Sequence, residues 1–255
     1  MYKKTAAFLI GLILVTGLLF GEGQSDSAVV QRHYAFSNFD SLSVDGPFRV
    51  RILKSDVWDI HVSCAREDLI SIKLRKHSEV FEISMAQGRN PALPSPVIVI
   101  SMPDLREIFL NGAVQMEAGG FSSDSELKAV INPGAFLNLS GFECSSADFY
   151  IKGPSEMHAF LSAVSIRIFS EGTSIVRMGG RAEHLLVDSK GRARIDGSLL
   201  LVDIVDLQLE GISEVRITPD IEMNINSRDN AVIYYSDKYM DSPPVTVGNA
   251  ILRKY

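Results

Sequence analysis

Between about Leu105 and Tyr235 the chain repeats one pattern every 17 to 21 residues: an alternating apolar run, a turn, and a second alternating run. A unit this short cannot bury its own apolar face. Periods in this range belong to solenoids, in which stacking supplies the core. The repeat constrains how the chain is built and is silent on chemistry.

Aligned on the turn, Gly112, Pro133, Gly153, Gly172, Gly191, Gly211 and Arg228 are equivalent. Four residues later stand Met116, Leu137, Met157, Val176, Ile195, Val215 and Val232, apolar in every case. Two residues after the turn the side chains are small or short: Val114, Ala135, Ser155, Ser174, Ala193, Ser213 and Asn230. Before the turn, Ile108/Leu110, Ala129/Ile131, Phe149/Ile151 and Ile168/Ser170 continue the same face. Residues in between are mostly polar, as on a strand with one wet side. Stacked about 4.8 Å apart, like hydrogen-bonded strands, the repeats predict a β-solenoid of six or seven coils. An antiparallel sandwich or barrel is the alternative, because its strands also recur regularly. The repeated corner glycine favours the solenoid, since one turn geometry implies one coil. Arg228 breaks the pattern, and the last repeat aligns only if a strand slips by one residue, as terminal repeats often do.

Upstream, alternation persists in Leu42-x-Val44, Phe48-x-Val50-x-Ile52, Trp58-x-Ile60-x-Val62 and Ile70-x-Ile72-x-Leu74, separated by polar turns. Gln87 to Pro96 holds three prolines and reads as a loop. It leads to Val97-Ile98-Val99-Ile100, an all-apolar run suited to a strand covered on both faces. The N-terminus differs. Lys3 and Lys4 precede an apolar stretch from Ala6 to Phe20, followed by Gly21 and Gly23. This is the layout of a secretory signal peptide, and it is short for a membrane span of roughly 20 residues. No cysteine stands near its exit to carry a lipid. Cleavage after residue 23 moves the formal charge from −6 to −7. An acidic exported chain is a poor nucleic-acid binder, because phosphate contacts need clustered cations.

Phe39-Asp40-Ser41-Leu42-Ser43-Val44-Asp45-Gly46-Pro47-Phe48-Arg49-Val50 resembles the opening signature of the head GIN domain of putative autotransporter adhesins. Val99 to Leu105 and Leu110-Asn111-Gly112-Ala113 are similar to its next two landmarks. Val232-Ile233-Tyr234 and Val247 to Lys254 are similar to its closing ones. The resemblance spans about residues 33–255. It implies an exported β-helical protein of bacterial envelopes, with adhesion proposed and no enzymatic activity established. It supplies no catalytic residues. Where the family has a Tyr-x-Gly-x-Pro stretch, this chain has Tyr234-Tyr235-Ser236-Asp237, with Pro243-Pro244 later.

The outward positions carry the sharpest functional signal. Three residues before each turn stand Phe109, Val130, Tyr150 and Phe169, then Asp188 and Gln208. In a solenoid the first four form an apolar stripe about 15 Å long. Contiguous apolar surface implies a covering element or a partner. The cover would be the N-terminal strands or the Pro-rich loop; the partner would be a protein, a second subunit or a stacking sugar. A second outward column reads Glu117, Asn138, His158, Arg177, Asp196, Arg216 and predicts a solvated face with ion pairs between coils. Asp188, Asp196, Asp203 and Asp206 lie close in sequence, yet alternation spreads them over different faces, against a polysaccharide-cleaving site. The five histidines are scattered with no pair at ligand spacing, and His61-x-x-Cys64 alternates onto opposite faces. Cys64 falls in phase with the apolar face and reads as a small buried hydrophobe.

The expectation is therefore an all-β chain: a signal peptide over residues 1–23, a linker over 24–32, and one β-helical domain over 33–255. Within it, N-terminal strands and the Pro-rich loop (33–102) precede solenoid repeats (103–235) and a C-terminal cap (236–255). The resemblance and the general preference for right-handed crossovers imply a right-handed parallel β-helix. The expected role is non-catalytic, with no cofactor and no metal. It is an exported interaction module (periplasmic, cell-surface or secreted) whose partner is a protein or glycan of the cell envelope. A self-associating homo-oligomeric scaffold is the alternative, and a carbohydrate-active enzyme the third. Nucleic acid is excluded as a partner, and membrane contact is confined to the signal segment if it stays uncleaved.

Overall fold

Period-2 alternation puts every second side chain on one face, and stacking identical coils turns those faces into ladders. The structure, a computed structural model, describes residues 29–255. The expected signal peptide and the first part of the linker lie outside the described residues. Eighteen strands follow in order. The first seven are β1 (Val29–Tyr34), β2 (Ser41–Asp45), β3 (Arg49–Lys54), β4 (Asp59–Ala65), β5 (Ile72–His77), β6 (Val80–Met85) and β7 (Val97–Met102). Next come β8 (Glu107–Asn111), β9 (Gln115–Gly119), β10 (Glu126–Ile131), β11 (Phe136–Lys152), β12 (Ser155–Gly172), β13 (Ser174–Gly191) and β14 (Arg194–Gly211). The last are β15 (Glu214–Ser227), β16 (Val232–Tyr235), β17 (Val245–Gly248) and β18 (Ile251–Lys254). Because β1 begins at Val29, the expected linker over 24–32 gives way to a strand within it.

The chain is an all-β solenoid preceded by N-terminal strands. Its repeats pair in parallel, and two ladders run its length. On the face after the turn, Met116, Leu137, Met157, Val176, Ile195 and Val215 are successive register partners. All are at most 2 % exposed. Burying each such rung stabilises by roughly 1.5–3 kcal/mol. On the face before the turn, Ile108, Ala129, Phe149, Ile168, Val187, Leu207 and Ile225 form the matching column. Both columns belong to one continuous core.

The N-terminal strands extend these ladders. Strand β2 sets Leu42 on Ile108, and β3 sets Val50 on Met116. Below them lie β6 and β7, at the register of Phe81 with Leu42 and Ile98 with Val50. Antiparallel strands then close this end, with β5 on β6, β4 on β7 and β1 on β4. At the other end, the segment expected as a cap adds β17 and β18, which pair in parallel with β15 and β16.

Three local expectations change. The corner expected at Pro133 turns at Gly134, whose φ is +89°, because proline's ring fixes φ negative. In the last repeat Ala231 and Ile233 point inward in place of Asn230 and Val232, since Ile233 pairs with Val215. A one-residue slip exchanges the faces of a strand. Finally, the Val97–Ile100 run is covered on one face only: Ile98 and Ile100 are buried, whereas Val97 is 40 % exposed.

The Pro-rich segment is anchored. Arg89 is nearly buried and pairs with the buried Asp68 carboxylate at 3.0 Å. Its guanidinium also donates to the carbonyls of Leu93 and Pro94. Cys64 is buried and Cys144 half-buried, both unpaired; burial pushes the Cys144 thiol up to about 11.

Candidate functional site

The four stripe residues are neighbours on the outer side of the face before the turn. Phe109 pairs with Val130, Val130 with Tyr150, and Tyr150 with Phe169. Register makes them adjacent: Phe109, Tyr150 and Phe169 stand three residues before their corner glycines, and Val130 four before Gly134. The Tyr150 and Phe169 rings stack with centroids 4.9 Å apart and planes 10° from parallel. Such a pair contributes about 0.5–1.5 kcal/mol beyond area burial. Phe109 is 42 % exposed, and the other three are half-buried. The N-terminal strands do not lie over the stripe: Ser43 of β2 is the rung directly below Phe109 in the same column. A cleft of about 170 Å³ beside Tyr150 and Phe169 is bordered by Lys152, Glu171, Asp188 and Lys190. The column continues through Asp188 and Gln208, where it becomes polar.

Beside the stripe, the column Glu107–Lys128–Asp148–Arg167 carries charge. Arg167 grips Asp148 with two bonds of 2.6 Å, and this holds its guanidinium pKa above the ordinary value. Asp148 is 5 % exposed, so the pair fixes the floor next to Tyr150.

The second outward column is also in register, and ion pairs join coils along it, one between adjacent rungs and one on a diagonal. Arg51 meets Glu117 at 3.7 Å. Arg177 turns to Glu156 at 2.6 Å, and Glu156 accepts from His158 at 2.8 Å as well. Burial raises the Glu156 pKa, and these two partners outweigh it, leaving the carboxyl below its usual range. Asp196 bonds Ser198, and among the described residues no ion pair joins it to Arg177 or Arg216. Arg216 instead lies over the rings of Tyr234 and Tyr255 at 5.3 and 5.4 Å. A cationic planar group over an aromatic face is favourable without a counter-ion. Of the aspartates 188, 196 and 206, Asp196 sits on the face after the turn, whereas Asp206 pairs across from Leu186 and shares the outer side of the face before the turn with Asp188.

Two surfaces escape sequence reading. Phe160 and Leu199 are 59 % and 76 % exposed and flank Gly179 in successive coils. A Cβ at Gly179 would stand 2.8 Å from the Phe160 ring, so the glycine is what lets that ring lie flat. With His158, Arg177 and Asp196 they border a depression of about 260 Å³. The repeat alignment stops six residues past the turn, one position short of this bend. The other is at the closed end, where β1 and β4 bring His33 opposite His61. The reading that no two histidines meet is thereby corrected, because cross-strand pairing joins residues 28 apart in sequence. Along the corner, a groove of about 800 Å³ is lined by Phe136, Ile175, Ile212, Arg192, Arg194 and Glu214 among others.

Comparison with known proteins agrees with this architecture. No curated protein matches the chain. Among solved structures, a putative adhesin from Parabacteroides distasonis ATCC 8503 is similar at 15 % identity and TM-score 0.74, covering 90 % of this chain and 96 % of its own. A putative adhesin from Parabacteroides merdae ATCC 43184 gives 15 %, 0.74, 90 % and 95 %. A protein described as a putative lipid binding protein from Parabacteroides distasonis ATCC 8503 gives 12 %, 0.73, 90 % and 98 %. At these identities the likeness speaks for the fold alone. The family model described as putative auto-transporter adhesin, head GIN domain, matches residues 38–238. With most of its length inside that match, the chain belongs to the putative auto-transporter adhesin family of the head GIN domain.

Proposed function

We propose that the protein is an exported, non-catalytic interaction module of the bacterial cell envelope, binding a protein or glycan through the column Phe109, Val130, Tyr150 and Phe169. The observation that carries this reading is the stacked, partly exposed Tyr150–Phe169 pair in line with the open Phe109. A stacked aromatic pair that turns its ring edges outward, bordered by lysines and carboxylates, suits an apolar side chain or the edge of a sugar, with charged groups left to fix orientation. Membership in a family described by adhesion supports both export and this role.

A glycan array and a pull-down from envelope fractions test it. The parent protein should retain a ligand that the triple variant Phe109→Ser, Tyr150→Ser, Phe169→Ser loses by at least about tenfold, as expected for removing aromatic anchors. Retention undiminished by the triple variant, but lost in Phe160→Ser/Leu199→Ser, would move the site to the other face.

A self-associating scaffold is the second reading, and the last coil favours it. Val245, Val247 and Ile251 are 58 %, 62 % and 45 % exposed on β17 and β18, which among the described residues pair on one side only. Open apolar strand edges recruit further strands. Light scattering that gives a stable oligomer, dissociated by Val247→Lys, would favour this reading over a monomeric binder.

A further inference from the structure

In an antiparallel pair, directly opposite residues have Cα atoms roughly 4.5–5.5 Å apart and project to the same side, as do positions two residues along. His33 on β1 is opposite His61 on β4, and Asp59 stands two residues before His61. The imidazole centroids are 5.1 Å apart. Each ring turns its Nε2 to a different oxygen of one carboxylate: His33 to Asp59 Oδ1 at 2.5 Å, His61 to Oδ2 at 2.8 Å. All three donor groups offer ligand atoms within 4.8 Å of one another.

Two imidazole nitrogens and a carboxylate oxygen form a donor set for borderline divalent ions. Zinc takes imidazole nitrogen at about 2.0–2.1 Å and carboxylate oxygen at about 2.0–2.2 Å, which sets tetrahedral donors roughly 3.3 Å apart. The observed separations, 2.5 and 2.8 Å from carboxylate to imidazole and at most 4.8 Å across the set, bracket that value. The scaffold beneath is fixed, because all six residues of β1 are in register with β4. The side chains of His33, His61 and Asp59 are 59 %, 56 % and 37 % exposed, which gives an ion a path and leaves its remaining positions to water.

We infer that His33, Asp59 and His61 form a binding site for a divalent transition-metal ion of the zinc class, which clamps β1 onto β4. The clamp matters because β1, among the described residues, pairs with no other strand and is mostly exposed. An ion held from both strands adds a cross-link where only one ladder exists.

The alternative account of the same distances is two imidazoles donating to one carboxylate, with no affinity for metal. Zinc chloride titrated into the purified protein by calorimetry separates the two. One saturable equivalent should bind and be released by EDTA, and His33→Ala and His61→Ala should each weaken it at least about tenfold, as for loss of a ligand. Zinc should also slow amide exchange across Val29–Tyr34. In the unaltered protein, zinc should shift the imidazole resonances of His33 and His61 and leave those of His77, His158 and His184 in place. This last readout needs no variant to fold. No binding heat, or binding that moves the other three histidines instead, would overturn the site.

Discussion

At the residue scale, the corners show most directly how the coil dictates side chains. Gly191 has φ +116°, and a Cβ there would lie 2.9 Å from the Gly172 carbonyl oxygen of the coil below. Gly88 also has positive φ (+89°) but open space around it. Gly191→Ala should therefore destabilise by more than the ~1–3 kcal/mol of backbone strain alone, and Gly88→Ala by no more than that. Urea midpoints of the two variants check this; equal losses would remove the contact between corners from the account. The buried serines beside the corners answer the same crowding. Ser189 and Ser213 share a 2.9 Å hydrogen bond between coils, which satisfies two hydroxyls in the apolar interior. Glu156 gives a pH prediction. Its folded pKa lies below the ordinary 4.5, so its stabilisation is complete above that value and is lost as pH falls through the lowered one. Urea midpoints measured from pH 6 to pH 3 should fall less steeply in Glu156→Gln than in the parent. Identical slopes would mean that His158 and Arg177 do not favour the charged form.

At the scale of elements, Arg89 and Asp68 hold the Pro-rich segment in place. Arg89→Ala strands a carboxylate whose side chain is only 2 % exposed, and breaking such a pair costs about 3–5 kcal/mol. Faster proteolysis between Gln87 and Pro96 in that variant, against a resistant parent, is the expected result; equal resistance would mean the loop is held by other contacts. Nothing in the sequence pointed to this pair, since residues 21 apart with no shared period meet only when the end cap folds. The ladders, by contrast, were legible. Met116, Leu137, Met157, Val176, Ile195 and Val215 follow from counting four past each turn, and so do Phe109, Val130, Tyr150 and Phe169 from counting three back. Alternation is a local signal and one corner geometry repeats it. Legibility ended where the period broke: at Pro133, at the slipped last repeat, at the bend carrying Phe160, and at the antiparallel cap that joins His33 to His61. Side-chain pairing down the second column was also unreadable, because Arg177 had several acidic partners within reach and sequence does not rank them.

At the scale of the whole molecule, one ladder organises everything else. It runs from Ile98 through Val50 and Met116 to Ile233 and Leu252, so the N-terminal strands and the final coil belong to the same stack as the repeats. A stack of this kind offers straight outward columns, and the proposed binding column, the charged column and the proposed metal clamp are places on that grid. The column Glu117, Asn138, His158, Arg177, Asp196, Arg216, Tyr234, Arg253 climbs one coil per step. Electron–electron distances between spin labels read that climb directly. With Cys64 and Cys144 replaced by alanine, labels should be separated by about 24 Å for Glu117 and Arg216, and by about 34 Å for Glu117 and Arg253, from the 4.8 Å strand spacing. Distances that rise in proportion to the number of coils between labels are what a single stack predicts. A separation between Glu117 and Arg253 equal to or shorter than that between Glu117 and Arg216 would contradict it.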